Sequence, residues 1–208
     1  MELDIDNDGN PKLKVILVGD AGVGKTNLIN ILMEKEFNSN QTSTITAAFY
    51  QKPVKVNKKI YNLHIWDTMG QERLKSLTRI FFKNSKIVIL VFDITRKDSF
   101  EGLQYWYNEI KQILGDNIII GLCGNKSDLF MEQVVSEEEA EKYAKNINAK
   151  MIFTSAKLDQ KGFNKYLLEL LKDFIEKYVK KDIKIKSEKN KNIVLKNRNS
   201  LKKKKTCC

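Results

Sequence analysis

Leu13-Lys-Val-Ile-Leu-Val18 runs directly into Gly19-Asp20-Ala21-Gly22-Val23-Gly24-Lys25-Thr26, and this junction decides the fold. The apolar run predicts a buried strand. The stretch after it matches G-x-x-x-x-G-K-[ST]. From Thr26 to Phe37 a helix is predicted, with Leu28, Ile31 and Leu32 at helical spacing. Strand, glycine-rich loop and helix in that order are the context a phosphate loop requires. The glycines permit close backbone approach, and the loop N–H groups with the helix N-terminus surround phosphate oxygens. Lys25 is placed to reach the β- and γ-phosphates, and the Thr26 hydroxyl to bind Mg²⁺. The plain alternative is a glycine-rich turn followed by a chance Lys-Thr.

Outward from this loop, apolar runs and amphipathic stretches alternate, the signature of an α/β fold. Strands are predicted at 48–56 and 60–66, joined by a tight turn at Asn57-Lys58. Pro53 has no N–H to donate, which makes the first of these an edge strand. Ile87–Phe92 and Ile118–Leu122 are continuously apolar, as strands covered on both faces are. Between them Asp98 precedes a helix with the stripe Phe100, Leu103, Tyr107, Ile110 and Leu114. Asp98 with Glu101, and Ser136 with Glu139, have capping-box spacing. A short strand follows at 151–154. A last helix runs from Phe163 to Tyr178, with Tyr166, Leu167, Leu170, Leu171 and Phe174 inward. Cys123, inside an apolar strand, reads as core.

The chain has 208 residues, ordinary globular composition and three cysteines, too few and too odd for a disulfide scaffold. Its net charge of +11 suggests nucleic acid until the charge is located. Residues 180–208 hold 12 Lys/Arg against 2 Asp/Glu, so the rest of the chain is close to neutral. No nucleic-acid partner is therefore expected for the fold. Residues 1–11 read as an acidic, solvated arm, 12–179 as one nucleotide-binding domain, and 180–208 as a disordered basic tail. No apolar run is long enough to span a membrane.

A phosphate loop does not select the base. Asn125-Lys126-Ser127-Asp128 does, because it follows a buried strand at the end where open α/β sheets bind ligands. The Asp128 carboxylate can accept from guanine N1–H and the 2-amino group, which adenine cannot offer. Such polar pairing rejects the wrong base by roughly 10⁴-fold. Asp67 ends a strand and opens Asp67-Thr68-Met69-Gly70-Gln71-Glu72-Arg73. There a carboxylate suits a Mg²⁺ partner, the Gly70 N–H a γ-phosphate, and Gln71 the orientation of an attacking water. In the strand before it, Asn62, His64 and Trp66 share the more polar face, opposite Tyr61, Leu63 and Ile65. His64 reads as a half-exposed strand residue.

Phosphate loop, Asp-x-x-Gly, Asn-Lys-x-Asp and Ser155-Ala156-Lys157 in this order resemble the Ras superfamily of small GTPases over residues 12–179. Ile65-Trp66-Asp67-Thr68-x-Gly70-Gln71-Glu72-Arg73, Phe92-Asp93-Ile94-Thr95 and the terminal Cys207-Cys208 look like its Rab family, and Thr44-Ile45-Thr46-Ala47-Ala48-Phe49 is similar to the endosomal Rabs. The resemblance implies a P-loop NTPase small G domain: a six-stranded, mostly parallel sheet with one antiparallel edge strand and helices on both faces. It implies a slow GTPase acting as a GTP/GDP switch in vesicle traffic, turning over on the order of 10⁻⁴–10⁻³ s⁻¹ unaided.

The same resemblance implies Gln71 as the catalytic residue and Thr26, Thr44 and Asp67 around Mg²⁺. It extends the nucleotide contacts along the loop to Asn27, puts Phe37 against the base, the Ala156 N–H on guanine O6, and Lys126 and Lys157 on either side of the ring. Ile45 with the aromatic triad Phe49, Trp66 and Phe81 would meet effectors. Exchange factors, activating proteins and dissociation inhibitors would be further partners. Geranylgeranyl groups on Cys207 and Cys208, with the basic tail, would anchor the chain to the cytoplasmic face of an endosomal membrane, alongside a cytosolic pool. Two departures stand out: Met69 where the family usually has alanine, and Thr46 where many Rabs have glycine. They motivate a second reading, a hydrolysis-impaired GTP-binding scaffold.

Overall fold

A computed structural model describes residues 3–39, 44, 47–68, 80–159 and 161–179. The strands are β1 (Lys12–Val18), β2 (Ala48–Val56), β3 (Lys59–Asp67), β4 (Ile87–Asp93), β5 (Ile119–Asn125) and β6 (Lys150–Phe153). They form one sheet in the order β2-β3-β1-β4-β5-β6. Only β2 and β3 pair antiparallel; β1 pairs parallel with β3 and β4, and β5 parallel with β4 and β6. This is the expected sheet, with Pro53 on its edge strand. The β2–β3 turn works because Asn57 and Lys58 both take positive φ, 49° and 67°, as a tight hairpin of this hand requires.

The helices are α1 (Lys25–Leu32), α2 (Lys97–Glu101), α3 (Leu103–Leu114), α4 (Glu137–Asn146) and α5 (Gly162–Phe174). They cover both sheet faces. On one, α1 and α5 bury Leu28, Ile31, Phe163, Leu167, Leu170 and Phe174 against β1, β3 and β4. On the other, α3 and α4 bury Leu103, Trp106, Ile110, Ala140 and Ala144 against Ile16, Val88, Leu90 and Leu122. Every residue of β4 is buried, which is why Ile87–Phe92 is apolar without alternation before the closing Asp93.

Several boundaries differ from expectation, each for a local reason. The first helix stops at Leu32 rather than Phe37, because Glu34 takes φ 60° and the Lys52 ammonium caps the Leu32 carbonyl at 2.6 Å. The Asp98–Glu101 capping box does not form. The helix begins one residue before Asp98, whose carboxylate pairs instead with Arg96 at 2.8 Å. Half of the Ser136–Glu139 box forms: Ser136 Oγ accepts from the Glu139 N–H at 3.1 Å, while the Glu139 carboxylate pairs with Lys97. The predicted stripe holds at Phe100, Leu103 and Ile110, which are buried, while Tyr107 and Leu114 are half-buried beside it. Gly102 separates α2 from α3, and Trp106 is a deeply buried residue of α3. The acidic arm is mostly exposed but folded: Asp6 Oδ1 accepts from the Asn10 N–H at 2.7 Å, and Ile5 bridges to Pro11. Among the described residues no helix is long and apolar enough to cross a membrane.

Candidate functional site

The phosphate loop, the end of β3, the end of β5 and the turn after β6 all converge at the carboxyl end of the parallel strands. Gly19, Gly22 and Gly24 have φ of 152°, 78° and 95°. At Gly24 a side chain is doubly excluded, because a Cβ would lie 2.3 Å from Asn125 Nδ2. The Lys25 ammonium is buried and donates to the Gly19 and Asp20 carbonyls, each at 2.8 Å. Burial pushes its pKa down to about 8, against the attraction of Asp67 and Asp20.

Thr26 Oγ1 donates to Asp67 Oδ2 at 2.6 Å and lies 2.8 Å from Thr44 Oγ1. Three oxygen-bearing side chains from a helix, a loop and a strand end thus meet at one point. Asp67 is 1% exposed, its Oδ1 has no hydrogen-bond partner among the described residues, and burial raises its pKa. Lys25 and Asp67 are therefore each held toward their neutral forms by desolvation. A phosphate beside the lysine and a cation beside the aspartate would both relieve this. One carboxylate and two hydroxyls are hard oxygen donors of the kind that suits Mg²⁺, so the residues present fit that ion.

The base segment is built on the end of β5. Asn125, 1% exposed, donates to the Val23 carbonyl at 2.8 Å and accepts from the Ala156 N–H at 3.1 Å. It ties the phosphate loop to the Ser155–Lys157 turn. Lys126 adopts φ 68° and its ammonium meets the buried Asp93 carboxylate at 2.5 Å. Ser155 Oγ donates to Asp128 Oδ1, leaving the rest of a half-buried carboxylate for a ligand, and itself accepts from the Lys157 and Leu158 N–H groups. Asn27 exchanges two hydrogen bonds with the Asn38 backbone, and this fixes the segment just past Phe37, which is itself half-buried against the core. Lys157 is exposed.

Phe49, Trp66 and Phe81 also come together, with centroids 5.2 Å apart for the first pair and 5.5 Å for the second. Phe49 is 44% exposed. Lys14 stands over the Trp66 ring at 4.9 Å, and His64 meets Phe49 edge-on at 5.1 Å. Burial and the Lys12 charge lower the His64 pKa, which fits a neutral, half-exposed strand residue. Ile45, Thr46, Met69, Gly70, Gln71, Arg73, Cys207 and Cys208 lie outside the described residues.

Sequence reasoning missed three residues that hold the site. Thr68 Oγ1 donates to the Leu17 carbonyl at 2.6 Å, locking β3 to β1 where Asp67 projects. Asp93 anchors Lys126. Trp106 donates to Asp20. Asp93 carries a sequence signal, an acid ending an otherwise apolar strand; Trp106 carries none, since its helix also has Tyr105 and Tyr107.

The family model described as Ras family matches residues 14–176. Ras-related protein Rab-21 of Homo sapiens is 43% identical over 163 residues, 78% of this chain and 72% of that protein. Ras-related protein Rab-22A of Homo sapiens is 39% identical over 146 residues, 70% of this chain and 75% of that protein. Ras-related protein Rab-31 of Rattus norvegicus is likewise 39% identical over 146 residues. With the family come GTP and GDP as ligands, GTP hydrolysis, and regulator and effector proteins as partners. The chain belongs to the Ras family, as a Rab-type small GTPase of endomembrane vesicle traffic.

Proposed function

We propose that the switch operates on Mg²⁺–GTP, with Gly19–Asn27 around the phosphates, Asp128 and the Ala156 N–H on the base, and Thr26, Thr44 and Asp67 about the metal. The observation that carries this reading is the chain of contacts from Thr44 through the Thr26 hydroxyl to Asp67 Oδ2, on a buried carboxylate whose Oδ1 has no hydrogen-bond partner among the described residues. When bound, Mg²⁺ would neutralise charge on the β- and γ-phosphates. The chain's own residues do the rest. Lys25 supplies a cation to the same oxygens. Thr44 joins its loop to the phosphate loop, so that the 44–49 segment answers to the state of the nucleotide. Gln71 orients the attacking water, and the Gly70 N–H meets the γ-phosphate.

Phe49, Trp66 and Phe81, with Ile45, form the effector surface, next to the segment that the nucleotide orders. Residues 12–179 make up the switch domain, and 180–208 carry it on the membrane through lipids on Cys207 and Cys208 and through the basic tail. The endosomal membrane is supported by Thr44–Phe49, and exchange, activating and dissociation-inhibiting proteins are its expected regulators.

The test is to purify the chain natively, denature it and identify the released nucleotide. GDP in near-equal amount supports a slowly hydrolysing switch. GTP means intact binding with impaired hydrolysis, the scaffold reading. An adenine nucleotide, or none after addition of Mg²⁺ and GTP, overturns the assignment of Asp128.

A further inference from the structure

Asp20 and Ala21 are consecutive residues of the phosphate loop, and both are held from outside by the segment that follows β4. The Trp106 indole N–H donates to Asp20 Oδ1 at 3.1 Å. Trp106 is 1% exposed, and an indole has a single donor that needs a partner when buried. Gly102, the N-cap of α3 four residues earlier, makes room for this carboxylate: a Cβ there would lie 2.8 Å from Asp20 Oδ2. Arg96 Nη1 donates to the Ala21 carbonyl at 2.9 Å, and its Nη2 is fixed by Asp98 at 2.8 Å. On the inner side, the Asp20 carbonyl accepts from the Lys25 ammonium. One residue thus joins α3 to the cation of the phosphate site.

We propose that Trp106 is a positioning residue of the phosphate loop. Through Asp20, its N–H keeps the arch at Gly19–Gly22 and the ammonium of Lys25 in register for nucleotide, and Arg96 fixes the next carbonyl in the same way. The proposal rests on the assignment of Gly19–Thr26 as the phosphate loop. It makes a core tryptophan of α3, which touches no nucleotide, a determinant of how long GDP stays bound.

The experiment loads the full chain with a fluorescent GDP analogue and follows its release into excess GDP. Trp106→Phe keeps the ring packing and removes the donor, while Asp20→Ala removes the acceptor. Each should speed release roughly tenfold, the effect of losing a hydrogen bond to a charged group. The double variant should release no faster than the worse single, since both act through one bond. Asp20→Asn keeps an oxygen acceptor but loses its charge, and should release GDP faster than the parent and more slowly than Asp20→Ala. Gly102→Ala, which displaces the carboxylate and leaves the indole alone, should also speed release, and it carries the test with the Asp20 variants if Trp106→Phe does not fold. Release unchanged in folded Trp106→Phe or in Asp20→Ala overturns the proposal. So does a multiplicative double variant, or Asp20→Asn behaving like Asp20→Ala. Lys25→Ala separates the two levels: parental GDP affinity there means the loop assignment is wrong, whereas lost GDP there beside a parental Trp106→Phe removes only the clamp.

Discussion

The side-chain amide of Asn125 donates to the Val23 carbonyl at 2.8 Å and spans 102 residues of sequence to do so. Its oxygen meanwhile accepts from the Ala156 N–H. A single amide therefore links the loop that holds phosphate to the turn expected to hold guanine, and neither backbone group has water as a substitute at this depth.

Asn125→Ala should then loosen both halves of the site at once. Leaving a buried donor and a buried acceptor unpaired costs about 1–3 kcal/mol each. GDP release should accelerate at least tenfold and the thermal midpoint should fall. Release followed by fluorescence, beside a melting curve, checks both; a variant that loses stability but keeps parental release would show that the bridge is only structural.

Gly24→Ala should be harsher than an ordinary Gly→Ala change. Its φ of 95° and the 2.3 Å approach of a Cβ to Asn125 Nδ2 act together. A positive-φ alanine alone costs about 1 kcal/mol. The clash adds displacement of Asn125, so titration with GDP should show binding lost or weakened by more than a hundredfold.

Lys25 predicts a trade between stability and function. Its pKa is about 8 in the fold and near 10.5 unfolded. Between these values the unfolded chain binds more protons, so its contribution to stability rises with pH through that window. Holding the charged form buried near neutrality costs about 3 kcal/mol, at 1.36 kcal/mol per pKa unit. Nucleotide-free Lys25→Met should resist urea at pH 7 as well as the parent or better, lose that advantage by pH 10, and bind no GDP. A variant weaker than the parent at pH 7 and unchanged in its gap at pH 10 would contradict this.

Met69 is expected to slow hydrolysis, because a flexible thioether where the family usually has alanine would crowd the water that Gln71 is proposed to orient, or slow the second switch's rearrangement. Met69→Ala should raise the single-turnover rate of GTP cleavage without changing GTP affinity. An unchanged rate disposes of the idea.

Cys123 is fully buried, and burial pushes its thiol well above the ordinary value. It should resist a thiol-alkylating reagent at pH 8 in the folded protein and react once urea unfolds the chain, as mass spectrometry would show. Because its folded pKa is raised, its contribution to stability is full below about pH 9 and is lost as pH climbs above that. Native labelling would mean that the β4–β5 layer opens readily.

The strand Leu13–Val18, the phosphate loop and the Asn125–Asp128 segment were legible because each is a short-range pattern: an apolar run, a spacing of glycines, a polar quartet behind a strand. The antiparallel edge was legible from Pro53 and from Asn57-Lys58 for the same reason. The site residues could be named from the sequence, but not how they hold one another. Thr26 with Asp67, Asn125 with Val23, and Trp106 with Asp20 are contacts between distant segments, and no local periodicity encodes a partner 41, 102 or 86 positions away.

Helix ends were misread where a tertiary contact outweighed propensity. Lys52, reaching across from β2, terminates α1 at Leu32. Asp98 is drawn into an ion pair, and Trp106 of α3 is buried with its N–H on Asp20. Sequence alone determined that this chain is an α/β nucleotide binder and proposed which side chains carry the chemistry, because backbone propensity, hydrophobic period and motif chemistry act over a few residues. Only the tertiary structure decided that Asp67 Oδ2 meets the Thr26 hydroxyl while its Oδ1 has no partner among the described residues, that Lys25 is buried to a pKa of about 8, and that a core indole donates to the phosphate loop. Burial and pairing exist only once segments remote in the chain exclude water together.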